Sequence, residues 1–173
     1  MKETLKDLKE RRSVRAYTAK PVAEEDLKAI LEAGAYAPSG MGRQPVMMVA
    51  VEDRKLRDRL SAMNAAVMGS DSDPFYGAPV VIVVLADRSV PTYLYDGSLV
   101  MGNLLNAAYA VGVDSCWIHR AKEVFDSEEG KKLLKEWGIE GDYEGIGHCI
   151  LGHRSGELPP AKPRKEGNII RIR

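Results

Sequence analysis

The residues best suited to chemistry lie near the N-terminus, in the run Arg11-Arg12-Ser13-Val14-Arg15. Its three guanidinium groups stay charged and bind phosphate through paired hydrogen bonds, and the serine hydroxyl adds a short neutral donor. A second basic pair, Lys162 and Arg164, lies near the other end of the chain and can converge on the same anion. The run also fits a simpler role, because arginines at a helix C-terminus complement the helix dipole.

The composition fits one globular domain that spans residues 1–173. Lys plus Arg equals Asp plus Glu, at 25 each. This balance argues against binding to nucleic acid or to an anionic membrane surface, so any anion site must be local. Apolar runs such as residues 79–86 are far shorter than the ~20 residues that span a bilayer. No secretory signal follows Met1, so a cytoplasmic location is expected.

Two cysteines, Cys116 and Cys149, are too few for a disulfide framework. Together with three scattered histidines they do not give the spacing of zinc ligands. We therefore expect buried free thiols and no metal site.

The spacing of apolar residues predicts five helices. Thr4 opens the first, the second stops before Pro38, Gly112 ends the fourth at its C-cap, and Ser127 is the N-cap of the fifth, which runs to Gly138. In chain order the helices are marked by Leu5 and Leu8; by Leu27, Ile30, Leu31 and Gly34; by Leu56, Leu60, Met63 and Val67; by Leu94, Ser98, Met101, Leu105 and Ala108; and by Leu133, Leu134 and Trp137.

Strand-like runs lie between these helices, at residues 46–51, 80–85, 116–118 and 146–151. Two of the runs are apolar throughout, which indicates that helices cover both faces of the sheet. The alternation predicts an α/β layered fold. The last six residues, 168–173, alternate apolar and basic side chains and need a sheet edge to pair with, unless they form a frayed tail.

Five sequence blocks, taken together and in this order, resemble the nitroreductase family, and the chain looks like one of its short, FMN-dependent members. The resemblance extends over about residues 8–165. The blocks are Arg-Arg-Ser-Val-Arg at 11–15, Ala-Pro-Ser-Gly-Met-Gly-Arg-Gln-Pro at 37–45, Gly-Val-Asp-Ser-Cys-Trp-Ile at 112–118, Gly-His-Cys-Ile-Leu-Gly at 147–152 and Lys-Pro-Arg at 162–164.

The resemblance implies a mixed central sheet flanked by helices, in a homodimer whose subunits exchange their C-terminal strands. It also implies that Arg11, Arg12, Ser13, Lys162 and Arg164 hold the FMN phosphate. Arg15 would then reach the pyrimidine edge of the flavin, where two-electron reduction leaves negative charge that a fixed cation stabilises.

For the flavin ring, the resemblance implies contact with the Pro38-Ser39-Gly40 loop of the second subunit, with Gln44 nearby. The family more often has serine, asparagine and tryptophan where this chain has Gly40, Gly42 and Val46. The two glycines allow closer backbone approach and more loop freedom. Without the other blocks, the same segment reads as a turn between a helix and a strand.

By the same resemblance, the segment Trp117-Ile118-His119-Arg120 corresponds to the segment whose backbone amide faces flavin N5 in the family. Flavin N5 is the atom that accepts the hydride. Either the N–H of His119 or that of Arg120 would point at N5, and these two side chains could favour anionic substrates. Asn64 is matched to an asparagine that reaches the pyrimidine edge. The alternative for Asn64 is a solvent-exposed position on the helix surface.

The sequence therefore predicts an FMN-dependent oxidoreductase that uses NADH or NADPH to reduce nitroaromatic, quinone or similar acceptors by ping-pong turnover. No nucleophile and base pair is recognisable, which suits an enzyme whose cofactor carries the chemistry. A non-catalytic flavin-binding or flavin-sequestering protein is the alternative. A phosphate-metabolite enzyme without flavin is disfavoured, because the chain lacks a Gly-Lys-Ser/Thr phosphate loop.

Overall fold

The computed structural model describes residues 2–173 and places a four-stranded sheet between two layers of helices. The strands are β1 (Val46–Val51), β2 (Val80–Asp87), β3 (Asp114–Ile118) and β4 (Tyr143–Gly152). The helices are α1 (Glu3–Glu10), α2 (Glu24–Ala35), α3 (Arg54–Met68), α4 (Tyr93–Ala110), α5 (Ala121–Asp126) and α6 (Glu128–Glu136), and a short 3-10 turn spans Gly40–Gly42. The predicted α/β architecture is confirmed.

The strand order is β1-β2-β4-β3, and neighbouring strands pair antiparallel throughout. Parallel pairing is limited, within residues 2–173, to an isolated bridge between Ser13 and Ser115. The sheet of one chain is therefore mixed only through this bridge. The two edges differ, because the bridge continues the sheet beyond β3 while β1 pairs only with β2.

The predicted burial of the sheet on both faces is confirmed by β2, which alternates between two hydrophobic cores. Val80, Ile82 and Val84 pack with residues of α2 and α4 on one face. Val81 and Val83 pack on the other face with residues of α3, α5 and α6. Burial on both faces explains why this strand is apolar at every position from 80 to 86 rather than at alternate ones.

The sequence missed α5, which has six residues and is too short to show a helical period. It was right that Ser127 is an N-cap, since its Oγ accepts a hydrogen bond of 3.0 Å from the Gly130 N–H. In α4 the predicted apolar face was partly wrong, because Leu94 is 47% exposed and the buried positions include Asp96 and Gly97.

The C-terminal segment forms no secondary structure within one chain, and every residue from 159 to 173 is exposed. Ile169, Ile170 and Ile172 are each at least 80% exposed. Exchange of this segment between subunits stays a prediction. Within residues 2–173, no helix has both the length and the apolar character needed to cross a membrane.

Asp73 organises the loop that joins α3 to β2. Its carboxylate accepts hydrogen bonds from Arg57 Nη2 at 2.6 Å, Ser61 Oγ at 2.5 Å, Phe75 N–H at 2.9 Å and Gly77 N–H at 2.8 Å. Burial raises the pKa of this carboxyl, but the four hydrogen bonds together outweigh burial and hold the pKa below its usual range. The carboxylate thereby fixes α3, which carries Asn64.

We expect Asp73→Asn to lower the free energy of unfolding by roughly 1–3 kcal/mol, because the nearly buried Arg57 loses a charge-assisted partner. Asp71→Asn is the matched control, since Asp71 is exposed and forms no hydrogen bond or ion pair within residues 2–173. Urea unfolding at neutral pH measures both. Equal stability of the two variants would contradict this role for Asp73.

Candidate functional site

The arginine run leaves α1 and lies beside β3. Val14 N–H donates to Ser115 O at 3.1 Å, and Val14 itself is only 3% exposed. Ser13 forms the parallel bridge to Ser115. The segment is thus an extra short strand on the edge of the sheet, which anchors the candidate anion site to a rigid element.

Arg11, Ser13 and Arg15 all influence the pKa of the buried thiol of Cys116. Burial raises the pKa of this thiol, while Arg15, a hydrogen bond from Ser13 and then Arg11 act in the opposite direction. Cys116 and Cys149 are both free and buried, as the sequence predicted. The three predicted ligands therefore share one region of the surface next to β3.

Arg11 carries a polar atom that lacks a partner. Its Nη1 is buried and makes no hydrogen bond with any residue from 2 to 173. A buried charged donor without an acceptor is costly, by roughly 1–3 kcal/mol or more. The donor set therefore fits an anionic group such as a phosphate.

Arg12 instead supports the helix-end alternative. Its Nη1 donates to Lys9 O and to Arg11 O, each at 2.7 Å, at the C-terminus of α1. Its Nε is buried and unpaired within residues 2–173. Both of the hydrogen bonds that the Arg12 side chain donates therefore go to backbone carbonyls at the end of the helix.

Lys162 and Arg164 are exposed, and neither forms a hydrogen bond or an ion pair within the described chain. Their role in holding a phosphate stays a prediction.

The loop that contains Pro38, Ser39 and Gly40 is strained and tightly held. Met41 and Gln44 adopt positive φ angles of 55° and 49°, a region that non-glycine residues rarely occupy. Ser39 Oγ accepts a hydrogen bond of 3.0 Å from the Gln44 N–H, so this loop is more than a simple turn. Pro38 and Gln44 remain exposed.

Asp96 fastens this loop to the N-terminus of α4. Its Oδ1 accepts a bond of 2.9 Å from the Gly40 N–H, and its Oδ2 accepts one of 2.7 Å from Thr92 Oγ1. Asp96 is only 3% exposed. A Cβ added at Gly40 would lie 2.5 Å from Thr92 Oγ1, so a serine at this position, as the family resemblance implied, would require Thr92 to move.

Asn64 forms hydrogen bonds to both residues that follow β3, His119 and Arg120. The Asn64 Nδ2 donates to His119 O at 2.7 Å, and its Oδ1 accepts from Arg120 Nε at 3.0 Å. Asn64 is fully buried, so the alternative of an exposed helix-surface residue is wrong. Arg120 has a φ of 73°, again in the left-handed region, while His119 is exposed.

His148 lies beneath the same segment and is fully buried. Its Nδ1 is 3.4 Å from Asn64 Nδ2, and its ring packs 5.2 Å from the ring of Phe75. Burial lowers the pKa of His148 to about 3, even though the Ile118 backbone carbonyl favours the charged form. The imidazole is therefore neutral at physiological pH.

Trp117 and Ile118 complete the segment. Ile118 is buried at 6% exposure and belongs to the core on the α3 side. The indole Nε1 of Trp117 is buried without a partner in the described chain, and a Cβ at Gly147 would lie 2.3 Å from it. Gly147 therefore makes room for this indole.

A groove with a volume of about 900 Å³ lies elsewhere, along α3 and the loop after it. Arg57, Ser61 and Asp73 line it and already bond to one another. It includes none of the residues predicted to bind a cofactor. We assign it no role.

Comparison with known proteins identifies the class to which this fold and site belong. A family model described as the nitroreductase family matches residues 8–153, and the chain belongs to this family. A protein of Archaeoglobus fulgidus, named as a candidate NADH dehydrogenase/NAD(P)H nitroreductase, is 35% identical over 141 residues, which are 79% of this chain and 76% of the relative. An FMN reductase [NAD(P)H] of Bacillus subtilis is 36% identical over 87 residues, which are 50% of this chain and 33% of the relative.

Two solved structures share the fold over their full lengths. A nitroreductase with bound FMN from Bacteroides fragilis has a TM-score of 0.91 and 31% identity, with 100% of both chains covered. A nitroreductase with bound FMN from Desulfitobacterium hafniense has a TM-score of 0.89 and 28% identity, again with 100% of both chains covered. The resemblance inferred from the five blocks is confirmed.

Sequence reasoning missed two buried polar residues at the site, Asp96 and His148. Asp96 shares its helix face with Val100 and Met101, so a carboxylate in an apolar stripe was the available signal. His148 lies in a strand whose other residues are apolar or glycine at 145–151, which gave a similar hint.

We expect Gly40→Ala to lower the free energy of unfolding by about 1–3 kcal/mol, because the new Cβ overlaps Thr92. Thr92→Ala should cost about 1 kcal/mol through its lost hydrogen bond. In the double variant the smaller side chain at 92 leaves space for the Cβ at 40. The double variant should therefore lose less stability than the two single variants lose in sum. Urea unfolding of all four proteins at one protein concentration tests this, and strictly additive effects would contradict the contact.

His148 should make the protein less stable as the pH falls from 6.5 towards 3. The unfolded chain binds a proton near pH 6.5 and the folded chain does not, so protonation favours unfolding across this window. The slope should approach about 1.4 kcal/mol per pH unit. Urea unfolding of wild type and His148→Gln at a series of pH values measures this effect. The difference between their free energies of unfolding should be constant at pH 7–8, and below pH 6.5 the wild type should lose stability more steeply than the variant. An equal pH dependence of the two proteins would refute the assignment.

Proposed function

We propose that this protein is an FMN-dependent oxidoreductase that uses NADH or NADPH to reduce nitroaromatic, quinone or similar small-molecule acceptors. The observation that carries the proposal is the buried Nη1 of Arg11, which has no partner in the described chain and lies in the segment bridged to β3. Membership of the nitroreductase family and FMN-bound structural neighbours support it.

Arg11 and Ser13 would hold the phosphate of FMN, joined by Lys162 and Arg164 from the C-terminal segment. Arg12 would contribute mainly by fixing the end of α1. Arg15, which is exposed, has the freedom to reach the pyrimidine edge and place a cation where charge develops. The site therefore separates an anion end from a ring end along β3.

When bound, FMN supplies hydride and electron transfer at its ring. The chain contributes a backbone N–H from the His119 and Arg120 segment, and the second subunit contributes the loop at 38–40. We expect donor and acceptor to use the same open face in turn, because the chain has no Gly-x-Gly-x-x-Gly dinucleotide motif. Turnover should therefore be ping-pong.

A homodimer with FMN at its interface follows from the same assignment, since the second subunit contributes the loop at 38–40 to the ring. Apolar residues are available to form the interface: Leu5 and Leu8 on α1, and Leu94 and Leu99 on α4, are each 47–52% exposed. The exposed isoleucines of the C-terminal segment would pair with the partner, where the outer edge of β1 is open. A cytoplasmic location stays a prediction.

A non-catalytic flavin-binding protein would use the same anion and ring contacts. Steady oxidation of NADH or NADPH with a nitroaromatic acceptor separates the two functions, because a sequestering protein would bind FMN without turnover. Light scattering that found a flavin-loaded monomer of 19.0 kDa would contradict the shared site.

We expect the purified protein to be yellow and to release FMN. Arg11→Gln and Arg164→Ala should each weaken FMN binding about ten- to a hundredfold, which is roughly 1.5–3 kcal/mol for one charge-assisted contact. Arg54→Ala is the control, because Arg54 is exposed and pairs only with Asp58 at 3.8 Å. Fluorescence titration gives the three dissociation constants. An unchanged constant in Arg11→Gln would remove the phosphate site from this segment.

A further inference from the structure

Asn64 holds the peptide unit that joins His119 to Arg120. Its Nδ2 donates to the carbonyl oxygen of that unit at 2.7 Å, and Asn64 is fully buried, so the carbonyl points into the protein. The peptide is trans, and in a planar trans peptide the N–H points opposite to the C=O. The N–H of Arg120 is therefore directed away from the core.

This outward N–H is available to a ligand. Within residues 2–173 the Arg120 N–H donates to no acceptor. The neighbouring His119 side chain is exposed, which places this peptide at the surface of the fold. A free donor at a rigid surface position is what electrostatic stabilisation of a reacting group requires.

Asn64 also supports the unusual backbone of Arg120. A φ of 73° at a non-glycine residue is energetically unfavourable, because Cβ approaches the following carbonyl oxygen. The Arg120 side chain folds back, and its Nε donates to Asn64 Oδ1 at 3.0 Å, which offsets part of that cost. One buried amide thus fixes both the direction of the peptide and the conformation that follows it.

The position of Asn64 is itself rigid. It lies on the buried face of α3 with Arg57, Leu60 and Ser61, at helical spacing. His148 packs beside it, with Nδ1 at 3.4 Å from Nδ2. The amide can therefore hold the peptide without rotating to another partner.

We infer that Asn64 is a positioning residue: it aims the Arg120 N–H, rather than its own side chain, at the flavin. This inference deepens the proposed function and rests on it. It replaces direct contact between Asn64 and the pyrimidine edge, because both polar atoms of the Asn64 side chain are already engaged within the protein. It also selects Arg120 over His119 as the backbone donor.

The first test needs no variant. In protein labelled with ¹⁵N at arginine and histidine, FMN should slow hydrogen exchange at the Arg120 amide at least tenfold and shift the side-chain Nε signal of Arg11. Protection of the His119 amide in place of the Arg120 amide would overturn the inference alone. If FMN left both the Arg11 and Arg120 signals unchanged, the proposed function would fall, and the inference with it.

The second test uses Asn64→Asp, which keeps an acceptor for Arg120 Nε but removes the donor to His119 O. We expect the FMN-induced protection of the Arg120 amide to disappear and hydride transfer from NADH to slow at least tenfold. FMN affinity should change less than about threefold, because the phosphate ligands are untouched.

Asn103→Asp is the matched control, because Asn103 Nδ2 also donates to a backbone carbonyl, Ala33 O, at 2.8 Å. It should lose stability while keeping the protected Arg120 amide. If Asn64→Asp retained both the protection and the rate of hydride transfer, the positioning role would be wrong. If Asn64→Asp does not fold, the exchange measurement on wild type still decides between Arg120 and His119.

Discussion

The pairing of β3 is the constraint on which the site depends. Along one edge β3 is joined to β4, with Ile118 opposite His148, and along the other Ser115 is bridged to Ser13. Ser115, which anchors the proposed anion end, and Ile118, which precedes the proposed ring end, therefore lie three residues apart on one strand, a separation of about 10 Å. Because β4 is buried on both faces, neither end can move without disturbing the core.

Each strained backbone segment at the candidate site is hydrogen-bonded to a buried polar side chain. Met41 and Gln44 have left-handed conformations in the loop that Asp96 holds, and Arg120 has one in the segment that Asn64 holds. Each conformation costs free energy that the surrounding hydrogen bonds offset. This arrangement fixes backbone donors in place before any ligand binds, so the cost of ordering is met during folding and not during binding.

The sequence predicted the strands and the helices α2, α3, α4 and α6 well, because their apolar patterns reflect burial in two cores. It also predicted α1, although no residue of that helix is buried within one chain. It also predicted the family, since the five blocks depend on local residue order. It could not predict that Asn64 bonds to His119 and Arg120, or that Asp96 bonds to Gly40. Those contacts join residues about 55 positions apart, and only the packing of α3 on α5 and of α4 on the loop brings them together.

The distribution of arginines explains how a chain with no net charge can present a local anion site. Arg57, Arg88 and Arg154 form ion pairs with carboxylates at 2.5–3.0 Å, so their charges are balanced within the fold. Arg11 and Arg15 have no acidic partner within residues 2–173. Because those three arginines are neutralised locally while Arg11 and Arg15 are not, Arg11 and Arg15 add positive potential beside β3. An anion is therefore drawn to this edge of the sheet by charges that the fold has left unpaired.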